Sequence, residues 1–431
     1  MNEQKPKRFF YGWVIVGIST LALIVSNGLS IGGIPVFYKF VQTDLVTSGA
    51  VAQDKIQSVY GLGPGLTFLL AGLLSPVAGY LLHKFNARIM MVAGCFILGG
   101  GLIVYSQATS AAMVYAAHSL LGTSLGFVGV LVCTVLVASW FKRRRGMALG
   151  IVLTGTSFGG VIVPQISTPL ITAYGWRTAM ILVSLIIWFI LLPAVIFLIK
   201  NRPSDIGEFR DGEASDEHDG SDSSNILSDW ESGLSLGQAI RSPIFWVFSF
   251  CAAFIFYAIF VVSQQLNLYL QGPSIGFTPQ QAADVQSLLF AMSVVGKFTY
   301  GFLADRLPAI RVMFFSAFTL FISTLAFLSF DSRTVYVFVV LFGLNYGGTF
   351  VLLQLLVADY FGLKEYGKIL GAVTVIETIG GAAGTIITGR MADANGGDYS
   401  RAFLGLIVVT AISLFLVVIL NILYKEREVA A

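Results

Sequence analysis

The sequence predicts an all-α membrane protein with twelve transmembrane helices in two pseudo-symmetric halves of six. Three observations lead there. First, the 431 residues are 56% hydrophobic and only 11% charged, with a mean hydropathy of +0.82. A soluble domain carries roughly 25% charge. So few charges cannot cover a water-facing surface, whereas a bilayer is a suitable solvent for such a chain. Second, apolar segments longer than the ~20 residues needed to cross a bilayer recur from end to end. Third, an acidic stretch near the middle divides those segments six and six.

The expected spans are 9–41, 55–82, 89–108, 112–140, 146–172 and 177–199, then 243–270, 281–304, 310–330, 335–360, 367–391 and 400–424. The basic start, Lys5, Lys7 and Arg8, leads into a run too long for a signal peptide and reads as the first span. Residues 203–232 hold ten acids against one basic residue, Arg210, and include Ser221-Asp222-Ser223-Ser224. Such a stretch cannot bury apolar surface and reads as a linker. The expected units are therefore a six-helix bundle at 1–200, a cytoplasmic acidic linker at 201–242 and a second six-helix bundle at 243–431. The 46 glycines suit helices that pack closely in lipid. Cys95, Cys133 and Cys251 lie far apart in apolar runs and read as buried, reduced thiols.

Orientation follows from the excess of Lys and Arg on cytoplasmic loops. With both termini inside, nineteen of the 26 basic residues fall in the cytoplasm. They include Lys84, Arg88, Lys142 to Arg145, Lys200, Arg306, Arg311, Lys364 and Lys368. Six fall outside: Lys39, Lys55, Arg177, Arg333, Arg390 and Arg401. The expected location is the plasma membrane, or the inner membrane of a bacterium.

The halves repeat one another at offsets of 220 to 224 residues. Gly79, His83-Lys84 and Arg88 after the second span match Gly301, Asp305-Arg306 and Arg311 after the eighth. Ala138-Ser139-Trp140-Phe141, Gly146 and Gly150 match Ala358-Asp359-Tyr360-Phe361, Gly367 and Gly371. Trp176-Arg177 matches Ser400-Arg401. Six spans separate the copies, so they should be parallel repeats related by an axis along the membrane normal.

On these residues the chain resembles the major facilitator superfamily over essentially its whole length. The superfamily's loop motif, Gly-x-x-x-Asp-Arg-x-Gly-x-Arg, is matched by Gly301 to Arg306 with Arg311 one place late. The first half has His83 in place of the Asp and Asn86 in place of the Gly. Phe10-Tyr11-Gly12-Trp13, Trp140 to Gly146 and Arg241-Ser242-Pro243-Ile244-Phe245-Trp246 are similar to the branch holding bacterial oxalate:formate antiporters and monocarboxylate transporter relatives.

Two formal charges stand in mid-span, Lys297 in the eighth and Glu377 in the eleventh. Charge there is costly and usually meets a partner or a watery cavity. Both lie about 14 Å from the inner end at ~1.5 Å per residue, so they are placed to pair with each other. The resemblance implies that Lys297 binds a substrate carboxylate. Oxalate:formate antiporters carry a second basic residue about where Glu377 stands, so a dianion is not expected here. Ser293 occupies the place of an Asp found in monocarboxylate transporters. Asn27, Gln264, Gln265, Asn267, Asn345 and Tyr346 are polar residues on spans that line the central cavity in this superfamily. Of these, Asn27, Gln264, Asn345 and Tyr346 are taken as candidate substrate contacts alongside Lys297, with Glu377 as the proton-coupling acid. Each polar residue also has a plainer reading as a contact between helices.

The expected activity is secondary transport of a small organic anion, a monocarboxylate, by alternating access, coupled to a proton. Exchange against a counter-anion is the alternative, and a non-transporting sensor a more distant one. The functional unit is expected to be a monomer in the lipid bilayer, with no cofactor, metal or nucleic acid. Enzymatic readings fail on context. Gly122-Thr-Ser124-Leu-Gly126 and Gly155-Thr-Ser157-Phe-Gly159 fit a nucleophile-elbow pattern, but they sit in apolar helical runs rather than at a strand–turn–helix junction. No phosphate-binding loop occurs, and His83, His118 and His218 have no zinc spacing.

Overall fold

Small residues at four-residue intervals decide how this chain packs. In lipid there is no hydrophobic drive between helices, so close backbone approach supplies the contact energy. A computed structural model shows the result, describing residues 10–142, 144–212, 233–329, 332–362 and 364–430. The basic start, Arg143 and the linker positions Ser221 to Ser224 lie outside the described residues. The described residues are helical, apart from loops and one isolated bridge between Gly233 and Gly362.

Among the described residues, eleven helical runs are long and apolar enough to cross a membrane: Gly12–Thr47, Gln53–Leu82, Ala87–Ser106, Ala111–Trp140, Arg145–Leu198, Pro243–Leu270, Pro279–Ala304, Ala309–Leu328, Ser332–Phe361, Tyr366–Ala394 and Ser400–Leu423. The fifth has 54 residues. As one rod it would span ~80 Å against a ~30 Å hydrocarbon core. It breaks at Gly175, where φ is 79° and ψ 157°, so 145–174 and 176–198 are separate crossings. The total is twelve, numbered here spans 1 to 12 in chain order. Span 1 differs from a plain helix. It passes through a π-helical segment, Gly28–Gly32, before continuing as Pro35–Thr47.

The same pairings occur in both halves. Span 1 lies along span 5, with Gly155 against Thr20 and Gly159 against Gly28; span 7 lies along span 11, with Gly380 against Ala253 and Gly384 against Tyr257. Span 2 lies along span 4, with Gly63 on His118 and Gly122 on Thr67; span 8 lies along span 10, with Gly343 on Leu289 and Gly347 on Ser293. Gly122, Gly155 and Gly159 of the elbow-like sequences thus serve helix crossings. The three cysteines are buried and free.

Two seams join the halves. Span 2 runs antiparallel to span 11, through Gly61 with Gly389, Gly65 with Ile386 and Gly72 with Thr378. Span 5 runs antiparallel to span 8, through Gly160 with Phe290 and Ser157 with Ser293 at 2.8 Å. We call the end bearing residues 199–212 and 233–242 the linker end and the opposite end the loop end. Toward the linker end both seams part. Glycines 146, 150, 367 and 371 have no neighbour within 4 Å of an added Cβ, and Tyr80 is 69% exposed. The halves therefore meet at the loop end and diverge at the linker end.

Candidate functional site

Lys297 projects from span 8 across the seam to span 5. Its Nζ donates to the Leu153 carbonyl at 2.9 Å and to Thr156 Oγ1 at 2.6 Å. Glu377 is half-buried on span 11, one turn from Gly381, whose missing Cβ makes room for the Phe260 ring. The expected Lys297–Glu377 pair is not formed, since neither residue has an ion-pair partner within 4.0 Å among the described residues. Equal depth did not place them together because span 8 packs on span 5 and span 11 on spans 2 and 7.

Gln264 of span 7 binds span 1 through both ends of its amide. Its Oε1 accepts from Tyr38 Oη at 2.8 Å, and its Nε2 donates to the Ile31 carbonyl at 3.0 Å. Gln286 of span 8 donates to the Ser263 carbonyl at 2.9 Å and reaches the Gly32 carbonyl at 3.5 Å. The π-helical turn of span 1 is where these carbonyls become available, because its i→i+5 pattern disturbs the regular ladder. Asn27 precedes that turn and donates to Ser26 Oγ at 3.5 Å.

Tyr346 stands in an aromatic row, 5.5 Å from Phe290 and 5.7 Å from Phe350 between ring centroids. The row continues through Phe256 and Phe260 to Phe68 of span 2, which stacks on Phe260. Asn345 points elsewhere. Its Oδ1 accepts from Tyr300 Oη at 2.7 Å, Thr319 Oγ1 at 2.9 Å and Ser316 Oγ at 3.0 Å, and its Nδ2 donates to the Leu341 carbonyl. It joins spans 8, 9 and 10.

The loop-motif residues gather at the linker end. Gly79 faces Leu131 and Gly301 faces Val351, the same span 2–4 and span 8–10 contact in each half. His83 and Lys84 end a helix, with the Lys84 ammonium 5.7 Å from the Phe85 ring. Arg88 ties span 3 to the end of span 6 through Asn201 and the Ile196 carbonyl. Arg306 lies over the Phe302 ring at 3.9 Å. Asp305 ends span 8, and Arg311 opens span 9, its N–H bonded to the Pro308 carbonyl. At the same end Leu234 N–H donates to the Phe361 carbonyl, and Leu236 N–H to Glu365. The hydrogen-bonded Lys368 ammonium, followed by that N–H, holds the Glu365 carboxyl below its usual range.

Sequence reasoning missed Thr156, Tyr38, Gln286, Gln57 and Asp393, all of which contact the opposite half. Gln286 lay within an expected span and carried a usable polarity signal; the others are hydroxyls or residues near span ends, which look ordinary one at a time.

Two bundles of six helices that meet at one end and part at the other, with polar residues along the seams, define a secondary transporter of small molecules. The family model described as Major Facilitator Superfamily matches residues 20–276 and 269–430. The chain belongs to that superfamily, and is thereby a membrane transporter rather than an enzyme. It is 25% identical over 343 residues to MFS transporter asaE of Aspergillus flavus, covering 78% of this chain and 72% of that protein. It is 27% identical over 426 residues to monocarboxylate transporter 12 of Rattus norvegicus, covering 94% and 84%. Its fold is similar to a solved bacterial homolog of the human lysosomal transporter Spinster, in an inward-facing and unoccupied conformation. The TM-score is 0.68 at 17% identity, over 98% of this chain and 97% of that one.

Proposed function

We propose that this transporter moves a small organic anion, a monocarboxylate, together with a proton, and that Lys297 holds the carboxylate. The surroundings of Lys297 carry this reading. An ammonium has three N–H donors. Two are used on neutral oxygens, and no carboxylate lies within 4.0 Å of it among the described residues. Its charge is therefore uncompensated at a depth where charge is costly. One donor and the full charge are left for an anion at the seam between spans 5 and 8. The relatives named monocarboxylate transporters support the same substrate class.

In this reading the bundles 1–200 and 243–431 move as units joined by the linker 201–242. The excess of Lys and Arg at the linker end supports cytoplasmic termini in this reading, which takes the transporter to work as a monomer in the plasma membrane. Saturable binding of a labelled small monocarboxylate, such as lactate, to purified protein tests the site. Lys297→Ala should lower affinity at least about tenfold, equivalent to about 1.4 kcal/mol, with an unchanged melting temperature. An unaltered affinity in that variant removes Lys297 from the site.

A further inference from the structure

We infer that Asp393 is a clasp that holds the halves together at the loop end and so sets the balance between the two access states. Asp393 lies in the last turns of span 11 and reaches span 2 in the other half. Its Oδ1 accepts from the Gln57 N–H at 2.9 Å, and its Oδ2 from the Ser58 N–H at 2.7 Å and from the Ser58 hydroxyl. Gln57 and Ser58 begin the helix Ile56–Leu73, whose own N-cap residue, Lys55, makes no side-chain cap. The first N–H groups of a helix lack partners within it, and the helix start favours negative charge. Here a carboxylate from the opposite half supplies what a capping Ser or Asp usually supplies locally.

The contact is reinforced around Gln57. Its Oε1 accepts from Gln42 Nε2 at 2.8 Å and from Tyr399 Oη at 3.0 Å. Tyr399, like Asp393, belongs to the half bearing span 11. One turn deeper, Gly61 and Gly389 bring the two backbones together. The second seam has its own charged contact at the same end, Gln165 Nε2 to Asp284 Oδ1 at 3.0 Å.

Among the described residues, no carboxylate hydrogen bond is seen joining the two six-helix bundles at the linker end. Residues 75–92, which end span 2 and begin span 3, contain no Asp or Glu, and neither do residues 141–150. Glu365, at the start of span 11, is engaged by Lys368 of its own half and Leu236 of the linker. Charge-assisted hydrogen bonds are roughly twice as strong as neutral ones; the Lys297 bonds to Leu153 and Thr156 cross the second seam in mid-span, and among the described residues the carboxylate bonds joining the halves lie at the loop end. Opening that end must separate Asp393 from Gln57 and Ser58. Asp393 is thus a positioning residue that favours the state closed at the loop end and open at the linker end.

Two reporter cysteines test this in purified protein with Cys95, Cys133 and Cys251 replaced by Ala. Thr385→Cys reports the loop end, because Thr385 is fully buried against span 2. Gly371→Cys reports the linker end, where it is exposed. Asp393→Asn removes the charge and turns an amide N–H toward N–H donors. It should raise the thiol-labelling rate at 385 at least about fivefold and lower it at 371. Ser58→Ala should move both rates the same way by less. Opposite movement is the signature of a state shift, since loosening of the fold raises both rates. Unchanged rates, or a rise at both positions, overturn the proposal. If Asp393→Asn does not fold, Ser58→Ala carries the test with the same outcomes. No substrate enters the measurement, so it stands or falls separately from the carboxylate reading.

Discussion

Asn345 and Lys297 are both polar residues deep inside their spans, yet their neighbours give them different work. Asn345 Oδ1 collects three hydroxyl donors from spans 8 and 9, and its amide N–H is spent on the Leu341 carbonyl. These bonds tie Asn345 to spans 8 and 9 and to its own helix. Hydrogen bonds between membrane helices average about 0.6 kcal/mol and reach about 1.7. Asn345→Leu should therefore destabilise the protein by about 1–2 kcal/mol, measured by thermal unfolding in detergent, while affinity for a labelled carboxylate stays within about twofold. Lys297 has the opposite character. Its two partners are neutral and belong to the other half, so its removal should alter binding more than stability. A tenfold affinity loss in Asn345→Leu at unchanged stability would reverse these assignments.

At the scale of the element, a single backbone conformation decides the number of crossings. Helical hydrogen bonding runs almost unbroken from Arg145 to Leu198, and only Gly175 turns the chain back. Its φ of 79° and ψ of 157° lie in a region open essentially to glycine alone. Nothing stands within 4 Å of a Cβ added there, so substitution would meet backbone strain and no clash. Gly175→Val should cost about 1–3 kcal/mol, read as a lowered melting temperature. A value within about 0.3 kcal/mol of the parent would mean that the turn between spans 5 and 6 tolerates another conformation. Span 1 shows a related effect. Its π-helical turn sets Ile31 and Gly32 carbonyls before Gln264 and Gln286, so an irregularity in one half becomes an attachment point for the other.

For the molecule as a whole, the arrangement is asymmetric between its two ends, closed where Asp393, Gln57 and Tyr399 meet and open around Gly146, Gly150, Gly367 and Gly371. Glu377 lies in span 11, whose loop end bears Asp393, and it has no ion-pair partner among the described residues. We propose that it takes up the transported proton. Symport in this reading requires that anion binding at Lys297 and protonation of Glu377 favour each other. Gln resembles the protonated acid in shape and charge. Glu377→Gln should therefore exchange labelled substrate across proteoliposome membranes, yet fail to accumulate it when a pH difference is imposed. Accumulation at the parent level would assign the proton elsewhere, or favour anion exchange.

Composition and periodicity determined the solvent, the number of crossings and the duplication. These depend on summed transfer energies and repeated small residues, which are local and additive along the chain. Gly79 and Gly301 were legible in the same way, and the structure shows them in equivalent contacts with Leu131 and Val351. Which spans touch depends on close approach between distant backbones, and only the tertiary structure decided that. Lys297 faces Leu153 and Thr156 instead of Glu377 because span 8 lies against span 5. Asp393, an unremarkable acid near a span end in the sequence, caps a helix more than three hundred residues away in the chain. Helix ends expose unpaired N–H groups wherever they occur; which carboxylate meets them is set by the packing of the two halves.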